Sequence, residues 1–165
     1  MEPEIVEKDE TTLVGMVFYG DPFKDAGGWS KENEIGKLWD RFIKMSDSVK
    51  NVCGHGAYEV HIEPDEYSET KKYYVFVGVE VDRVEDVPPE MFVKVFPPTK
   101  YAVFTFKGQE INSDWGDKIF KEWLPAAGYE EASKFVFEYY DDDRFKGMDR
   151  IEESELDVYV PVREK

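Results

Sequence analysis

The stretch Lys100-Tyr-Ala-Val-Phe-Thr-Phe106, closed by Gly108, begins the pattern that decides the fold. Its β-branched and aromatic residues predict a buried strand. An apolar stripe at helical spacing follows, formed by Trp115, Ile119, Phe120 and Trp123. Two more apolar runs, Phe135–Tyr140 and Leu156–Val162, predict strands. This half of the chain is therefore predicted to be strand–helix–strand–strand.

The first half of the chain repeats this order of elements. Three runs have the composition or the alternation of a strand, namely Leu13–Tyr19, Ala57–Ile62 and Tyr73–Val81. Between the first two of these runs, helical spacing places five apolar residues on one stripe, namely Ile35, Leu38, Trp39, Phe42 and Ile43. Ser30 is the candidate N-cap of that helix.

A proline-rich segment separates the two halves. Pro88-Pro89 and Pro97-Pro98 occupy positions that neither a helix nor a central strand tolerates. We therefore predict a single α+β domain over residues 1–165, built by internal duplication of two β-α-β-β modules at about 11–85 and 97–165. The predicted domain has pseudo-twofold symmetry, two small sheets that each carry one helix, and a ligand cleft between the modules.

The charge balance restricts the classes of partner. The chain of 165 residues has 21 basic and 37 acidic residues, a net charge of −16. This charge opposes binding to nucleic acid phosphates and to anionic membrane surfaces. The acidic N-terminal segment and the shortness of the apolar runs predict neither a signal peptide nor a membrane span, so we expect a cytoplasmic protein. A single cysteine, Cys53, excludes an internal disulfide framework.

Glu138 is the most suggestive residue for function, because it interrupts the aromatic segment Phe135-Val-Phe-Glu-Tyr-Tyr140. Strand alternation places Val136, Glu138 and Tyr140 on one face. A carboxylate beside aromatic rings suits a lipophilic cation, since cation–π attraction adds about 0.5–2 kcal/mol. The alternative is that these residues form the solvent face of a half-exposed strand.

Other residues that carry chemistry give weaker signals. His55 and His61 have no metal-ligand spacing, and Asp141-Asp142-Asp143 lacks the pattern of a calcium loop. The sequence has neither a phosphate-binding glycine loop nor a nucleophile elbow. We therefore predict neither a metal site nor a cofactor, and no catalytic residue is assigned.

Four segments of the second half resemble the GyrI-like effector-binding domain. They are Tyr101–Gly108, Ile119–Pro125 followed by Gly128-Tyr129, Phe137–Tyr140 and Asp157–Pro161. This family provides the ligand-sensing half of multidrug-responsive transcription activators and also occurs as stand-alone and integron-associated proteins. The resemblance covers Leu13–Val162 and implies two β-α-β-β modules with a cleft between them. It also implies a buried glutamate, at Glu138, that faces aromatic residues clasping planar cationic drugs.

The resemblance extends to further ligand-binding residues. Tyr159 matches a tyrosine near the family's glutamate, and Tyr140 shares the strand face of Glu138. Repeat geometry adds Tyr19, Tyr58, Trp39, Phe104 and Trp123 as pocket candidates. The activators carry a DNA-binding region before this domain. Here only a short acidic segment precedes the first predicted strand, so no DNA-binding domain is expected.

Three functions follow as hypotheses. The leading one is a stand-alone binding protein that holds amphipathic, in particular cationic, small molecules in an aromatic cleft with a buried glutamate. The second is an acidic protein–protein inhibitor of a DNA-processing enzyme such as gyrase, in which negative charge imitates DNA. The third is a small-molecule hydrolase that uses a pocket glutamate, with Glu59 as the second carboxylate. The sequence favours binding over catalysis.

Overall fold

One antiparallel sheet organises the protein. The computed structural model describes residues 1–28 and 30–165, which form an α+β fold with a nine-stranded sheet. The strands are β1 (Glu4–Lys8), β2 (Thr11–Gly20), β3 (Gly56–Ile62), β4 (Tyr73–Glu80), β5 (Phe92–Phe96), β6 (Thr99–Lys107), β7 (Tyr129–Glu131), β8 (Phe135–Asp141) and β9 (Glu155–Glu164). Their order is β1-β6-β9-β8-β3-β4-β2-β5, and β7 pairs with β9.

The six strands predicted from the sequence are all present, and β1, β5 and β7 are additional. β5 lies between the two proline pairs at an edge of the sheet, where Phe92 and Val95 are exposed. An edge strand tolerates flanking prolines and need not bury both faces. These two properties explain why the sequence pattern shows only a break between the halves.

The prediction of two separate small sheets is wrong. β3 and β8 pair antiparallel along their whole length, from Gly56 opposite Asp141 to Ile62 opposite Phe135, and join all strands into one sheet. The strands of each predicted module nevertheless stay together, as β2-β4-β3 and β8-β9-β6. The internal duplication and its module boundaries stay a prediction.

The helices are short. They are α1 (Glu34–Met45), α2 (Tyr67–Thr70), α3 (Trp115–Lys118) and α4 (Leu124–Ala126), with a π-helical segment at Ile119–Trp123 that joins α3 to α4. Asn33, rather than the predicted Ser30, is the N-cap of α1, because its side chain accepts a hydrogen bond of 2.9 Å from the backbone N–H of Gly36. None of the helices in the described residues is long and apolar enough to cross a membrane.

Two helical segments, α1 and the continuous stretch from α3 to α4, cover the same face of the sheet. Leu38 and Phe42 of α1 pack on Val75 and Val77 of β4. On the other half of that face, Ile119 and Leu124 pack within the cluster formed by Phe104, Phe106 and the inward residues of β9. Burying such side chains stabilises the fold by roughly 1.5–3 kcal/mol each. The central strands β3 and β8 therefore lie between the two helical segments.

Aromatic residues fill the opposite face. Phe137 of β8 lies 4.8 Å from the ring of Phe96 in β5 and 5.5 Å from the ring of Tyr101 in β6. Since β5 and β6 lie towards opposite ends of the strand order, these contacts show that the sheet curves around this aromatic core.

Candidate ligand-binding site

The register of the two central strands places two acidic residues side by side. Glu59 of β3 is the direct partner of Glu138 of β8, and both side chains project to the helical face. They are 3% and 4% exposed, which is exceptional for glutamate. His61 follows two positions after Glu59, so strand alternation returns it to the same face.

The imidazole of His61 contacts both carboxylates. Its Nε2 atom lies 2.6 Å from Oε2 of Glu59 and 3.1 Å from Oε2 of Glu138. The other oxygens have their own donors, since Trp39 Nε1 donates to Oε1 of Glu59 at 2.7 Å and the Tyr140 hydroxyl donates to Oε1 of Glu138 at 3.2 Å. We call Glu59, His61 and Glu138 the central triad. Their ligand-capable atoms all lie within 4.8 Å of one another, a spacing that a single metal ion can bridge.

Burial and the contacts within the triad shift the pKa of each of its three members. Burial and the negative charge of Glu59 raise the pKa of Glu138 to about 8. For Glu59, burial acts in the same direction, but hydrogen bonds from His61 and Trp39 outweigh it and lower the pKa of that carboxyl. Burial lowers the pKa of His61, yet the charges of Glu138 and Glu59 outweigh it and raise the pKa to about 9. Burial and the neighbouring carboxylate thus oppose ionisation of Glu138, whereas the donors around Glu59 favour ionisation of that carboxyl.

A cleft of about 480 Å³ opens above the triad. We call it the main cleft, and its walls come from the segment before α1, the start of α1 and the turn before α3. It is lined by the three triad residues and by Phe23, Gly28, Ser30, Asn33, Ile35, Gly36, Trp39, Ile111, Asn112, Ser113, Asp114 and Trp115. Its volume falls in the range of small-molecule sites, about 300–1,000 Å³. A neighbouring side cavity of about 460 Å³ shares His61, Trp115 and Glu138 with the main cleft.

The structure brings three of the predicted ligand-binding residues together. Glu138 and Trp39 line the main cleft. Tyr140 lies behind them, with its ring 5.2 Å from that of Trp39 and its hydroxyl group on the Glu138 carboxyl. Tyr140 therefore supports the triad and does not line the main cleft.

Three predicted tyrosines lie on the opposite face of the sheet. Tyr159 is the register partner of Phe137 in the β8–β9 pair, so its side chain lies on the face opposite Glu138, contrary to the prediction. The Tyr159 ring lies 5.8 Å from the ring of Tyr101. Tyr58 packs edge-on against Phe137 at 5.5 Å. Tyr19 is 41% exposed, and its hydroxyl donates to Glu66.

Phe104 and Trp123 share the helical face but form part of its core. Their rings stack at 5.7 Å, and Phe104 is only 1% exposed. They fix the position of the α3 segment and line neither cavity that contains Glu138.

Sequence reasoning underrated three residues of the cleft. The sequence indicates Glu59 only as the second carboxylate of a hydrolase, gives His61 no ligand role and places Trp115 only on a helical stripe. The alternation in Ala57–Ile62 does place Glu59 and His61 on one face, but only the pairing of β3 with β8 brings them to Glu138. Trp115 lies at the start of α3, where no sequence pattern shows that it borders a cleft.

The match to a family model assigns this fold and its cleft between two helical segments to the effector-binding domains. The chain belongs to the family of integron-associated effector-binding proteins, whose family model matches residues 4–162. This membership confirms the resemblance to GyrI-like effector-binding domains.

Individual relatives show how the fold is used elsewhere. The chain is 31% identical over 164 residues to the transcriptional regulator BrlR of Pseudomonas aeruginosa, and the match covers 98% of this chain and 56% of the regulator. The chain thus spans about half the length of that relative. The structure of SAV2435 bound to tetraphenylphosphonium has a TM-score of 0.72 at 19% identity, covering 99% of this chain and 94% of that one. A hydrolase from Listeria innocua has a TM-score of 0.56 at 13% identity, with coverages of 98% and 92%. At these identities the two structures show a shared fold alone.

Proposed function

We propose that this protein binds amphipathic small molecules, in particular cationic ones, in the main cleft, with Glu138 as the anionic anchor. The observation that carries the proposal is the buried central triad beneath an aromatic cleft of about 480 Å³. Such a site offers apolar surface for the body of a ligand and few, well-placed polar groups to orient it.

The aromatic lining suits a delocalised positive charge. Trp39 and Trp115 both border the cleft, and Phe23 adds a third ring. A cation over an aromatic face gains about 0.5–2 kcal/mol, and more where water is excluded. A bound cation also favours the ionised form of Glu138, because an opposite charge lowers the pKa of a buried carboxyl.

The relatives support this class of ligand. SAV2435, which shares the fold, was solved with tetraphenylphosphonium, a lipophilic cation.

We also propose that the β3–β8 pair is the seam of an internally duplicated domain with modules at about 11–85 and 97–165. The order β2-β4-β3-β8-β9-β6 supports that proposal, because it places corresponding strands at equal distances from the seam.

A pair of ligands with the same shape and opposite charge tests the proposal. We expect isothermal titration of the metal-free protein in EDTA to show one bound tetraphenylphosphonium and little binding of tetraphenylborate. Glu138→Gln should weaken the cation at least about tenfold, a loss of about 1.4 kcal/mol. Tyr159→Phe, on the opposite face, is the control and should bind as wild type. Equal binding of both ions, or an unchanged affinity in Glu138→Gln, would contradict the proposal.

Hydrolysis is the second candidate function. Two carboxyl groups and an imidazole converge beside a cleft, each carboxyl held by a separate donor, and such groups can position and deprotonate water. The test is to incubate each compound that binds with the protein and to quantify it by chromatography. Recovery of intact ligand supports binding alone, whereas product in excess of the protein, absent from Glu138→Gln, would establish the hydrolase.

A further inference from the structure

We propose that the central triad is a site for one divalent metal ion of borderline character, such as Zn²⁺ or Co²⁺, with Glu59, His61 and Glu138 as its ligands and an open coordination position towards the main cleft. The inference goes beyond the proposed function, because it assigns the same side chains a ligand of another chemical class.

The three donor atoms already converge on one point. Nε2 of His61 lies 2.6 Å and 3.1 Å from the Oε2 atoms of Glu59 and Glu138. Zinc holds imidazole nitrogen and carboxylate oxygen at about 2.0–2.2 Å, so tetrahedral ligands lie about 3.4 Å apart. Entry of the ion therefore requires the imidazole nitrogen to move away from the two carboxylate oxygens by less than about 1 Å.

Neighbouring side chains orient the two carboxylates. Trp39 holds Oε1 of Glu59 at 2.7 Å, and Tyr140 holds Oε1 of Glu138 at 3.2 Å. Each carboxylate consequently turns its other oxygen towards the imidazole. Outer-shell hydrogen bonds of this kind fix ligands in metal sites, and their loss typically weakens metal binding about 10–100-fold.

The charge of the triad matches a divalent ion. In the deprotonated state that metal coordination requires, two carboxylates and a neutral imidazole carry a charge of −2, which a counter-ion must balance. The nearby Lys134 does not supply it, because its ammonium is paired with Glu131 at 2.6 Å and its side chain is 70% exposed.

The donor set points to a borderline metal with room for a further ligand. Carboxylate and imidazole donors suit Zn²⁺ and its neighbours in the first transition row, whereas Ca²⁺ takes six to eight oxygens. Three protein ligands with a fourth position open is the arrangement of catalytic rather than structural zinc. A metal-loaded triad would be electrically neutral and would no longer attract a cationic ligand to Glu138.

Cobalt titration tests the site directly. Protein treated with EDTA and then dialysed is titrated with Co²⁺, and the ligand-field absorbance reports ordered coordination of low symmetry. We expect saturation at one ion per chain in the wild type, and weakening of at least about tenfold in Glu138→Gln and in His61→Gln. Trp39→Phe, which removes the donor to Glu59 and part of the ring but no ligand, should weaken Co²⁺ binding less than either triad variant does. His55→Gln and Glu131→Gln are the matched controls and should bind Co²⁺ as wild type.

Several outcomes would overturn the proposal. The proposal fails if the wild type takes up neither Co²⁺ nor Zn²⁺ in a saturable way. It also fails if Glu138→Gln and His61→Gln bind the metal as tightly as the wild type. Circular dichroism of each variant establishes folding first, and Trp39→Phe replaces any triad variant that does not fold. Tetraphenylphosphonium is titrated separately in EDTA, so that failure of the metal site and failure of the cation site give different results. Competition between Co²⁺ and tetraphenylphosphonium is the outcome expected if both proposals hold.

Discussion

Glu59 and Glu138 are direct register partners across the β3–β8 pair, so two buried carboxyl groups face each other at the centre of the sheet. His61 lies against both of them, and separate donors from α1 and β8 hold their outer oxygens. A buried acidic pair is stable only with such compensation. The contacts of the triad are therefore part of the fold, and their effects on stability and on ligand binding can be measured.

Replacing Trp39 with Phe tests the hydrogen bond that holds Glu59. The change removes the donor to Oε1 and leaves a buried charged oxygen unsatisfied, which costs about 1–3 kcal/mol. Urea denaturation should show this loss in the free energy of unfolding. Trp123→Phe makes the same ring change where the indole stacks on Phe104, and should cost less. A smaller loss in Trp39→Phe than in Trp123→Phe would show that the hydrogen bond contributes nothing.

Substitutions at Phe104 distinguish a role in the hydrophobic core from a role in ligand binding. Its side chain is 1% exposed, so Phe104→Ala should lower the free energy of unfolding by about 3–5 kcal/mol. Phe104→Leu should retain most of the stability and bind tetraphenylphosphonium with wild-type affinity, because the residue does not line the main cleft. A well-folded Phe104→Leu that lost the ligand would restore Phe104 to the site.

Two glycines should respond in opposite directions to alanine. Gly15 of β2 is the register partner of Gly78 in β4, and a methyl group there would collide with the backbone of Val77 and Gly78. Gly15→Ala should therefore destabilise the fold by about 1–3 kcal/mol. Gly116 of α3 has open space around it, and Gly116→Ala should stabilise the helix by about 0.5–1 kcal/mol. Thermal unfolding of both variants measures the contrast, and equal shifts would contradict the close approach of β2 and β4.

Acid sensitivity should depend on Arg144. Its guanidinium donates to Asp157 at 2.6 Å and 2.9 Å and to Glu155 at 2.8 Å, which ties the turn after β8 to β9. The hydrogen bond from Arg144 lowers the pKa of Glu155 and outweighs the opposing effect of burial. A depressed folded-state pKa stabilises the protein above the unfolded value of about 4.3, and this contribution disappears as the pH falls.

We therefore expect the difference in unfolding free energy between wild type and Arg144→Gln to be largest at neutral pH and to shrink below about pH 4. Urea denaturation over a series of pH values measures it. A difference that stays constant with pH would show that the ion pairs do not act through the ionised carboxylates.

The sequence predicts the order of strands and helices well because each has a strong local period. Alternation also places Glu138 on a face with Val136 and Tyr140, which is where the structure has it. Alternation cannot say which face of a strand the helices cover, however. The family resemblance indicates Tyr159 and the repeat geometry indicates Tyr58 as ligand-binding residues, but both lie on the face opposite the cleft.

The rest of the site depends on contacts between distant segments. His61 acquires its partners only because β3 pairs with β8, and the side chain of Trp39 reaches Glu59 from α1. The edge strand β5 escaped prediction because its apolar residues are exposed and prolines flank it. Neither kind of information is present in a local pattern.

The most direct test of the central claim is the crystal structure of the protein with tetraphenylphosphonium. We expect the phosphonium in the main cleft, beside Glu138, with a ring of Trp39 or Trp115 within about 6 Å of the cation. A ligand on the opposite face, among Tyr58 and Tyr159, would contradict the assignment of the site.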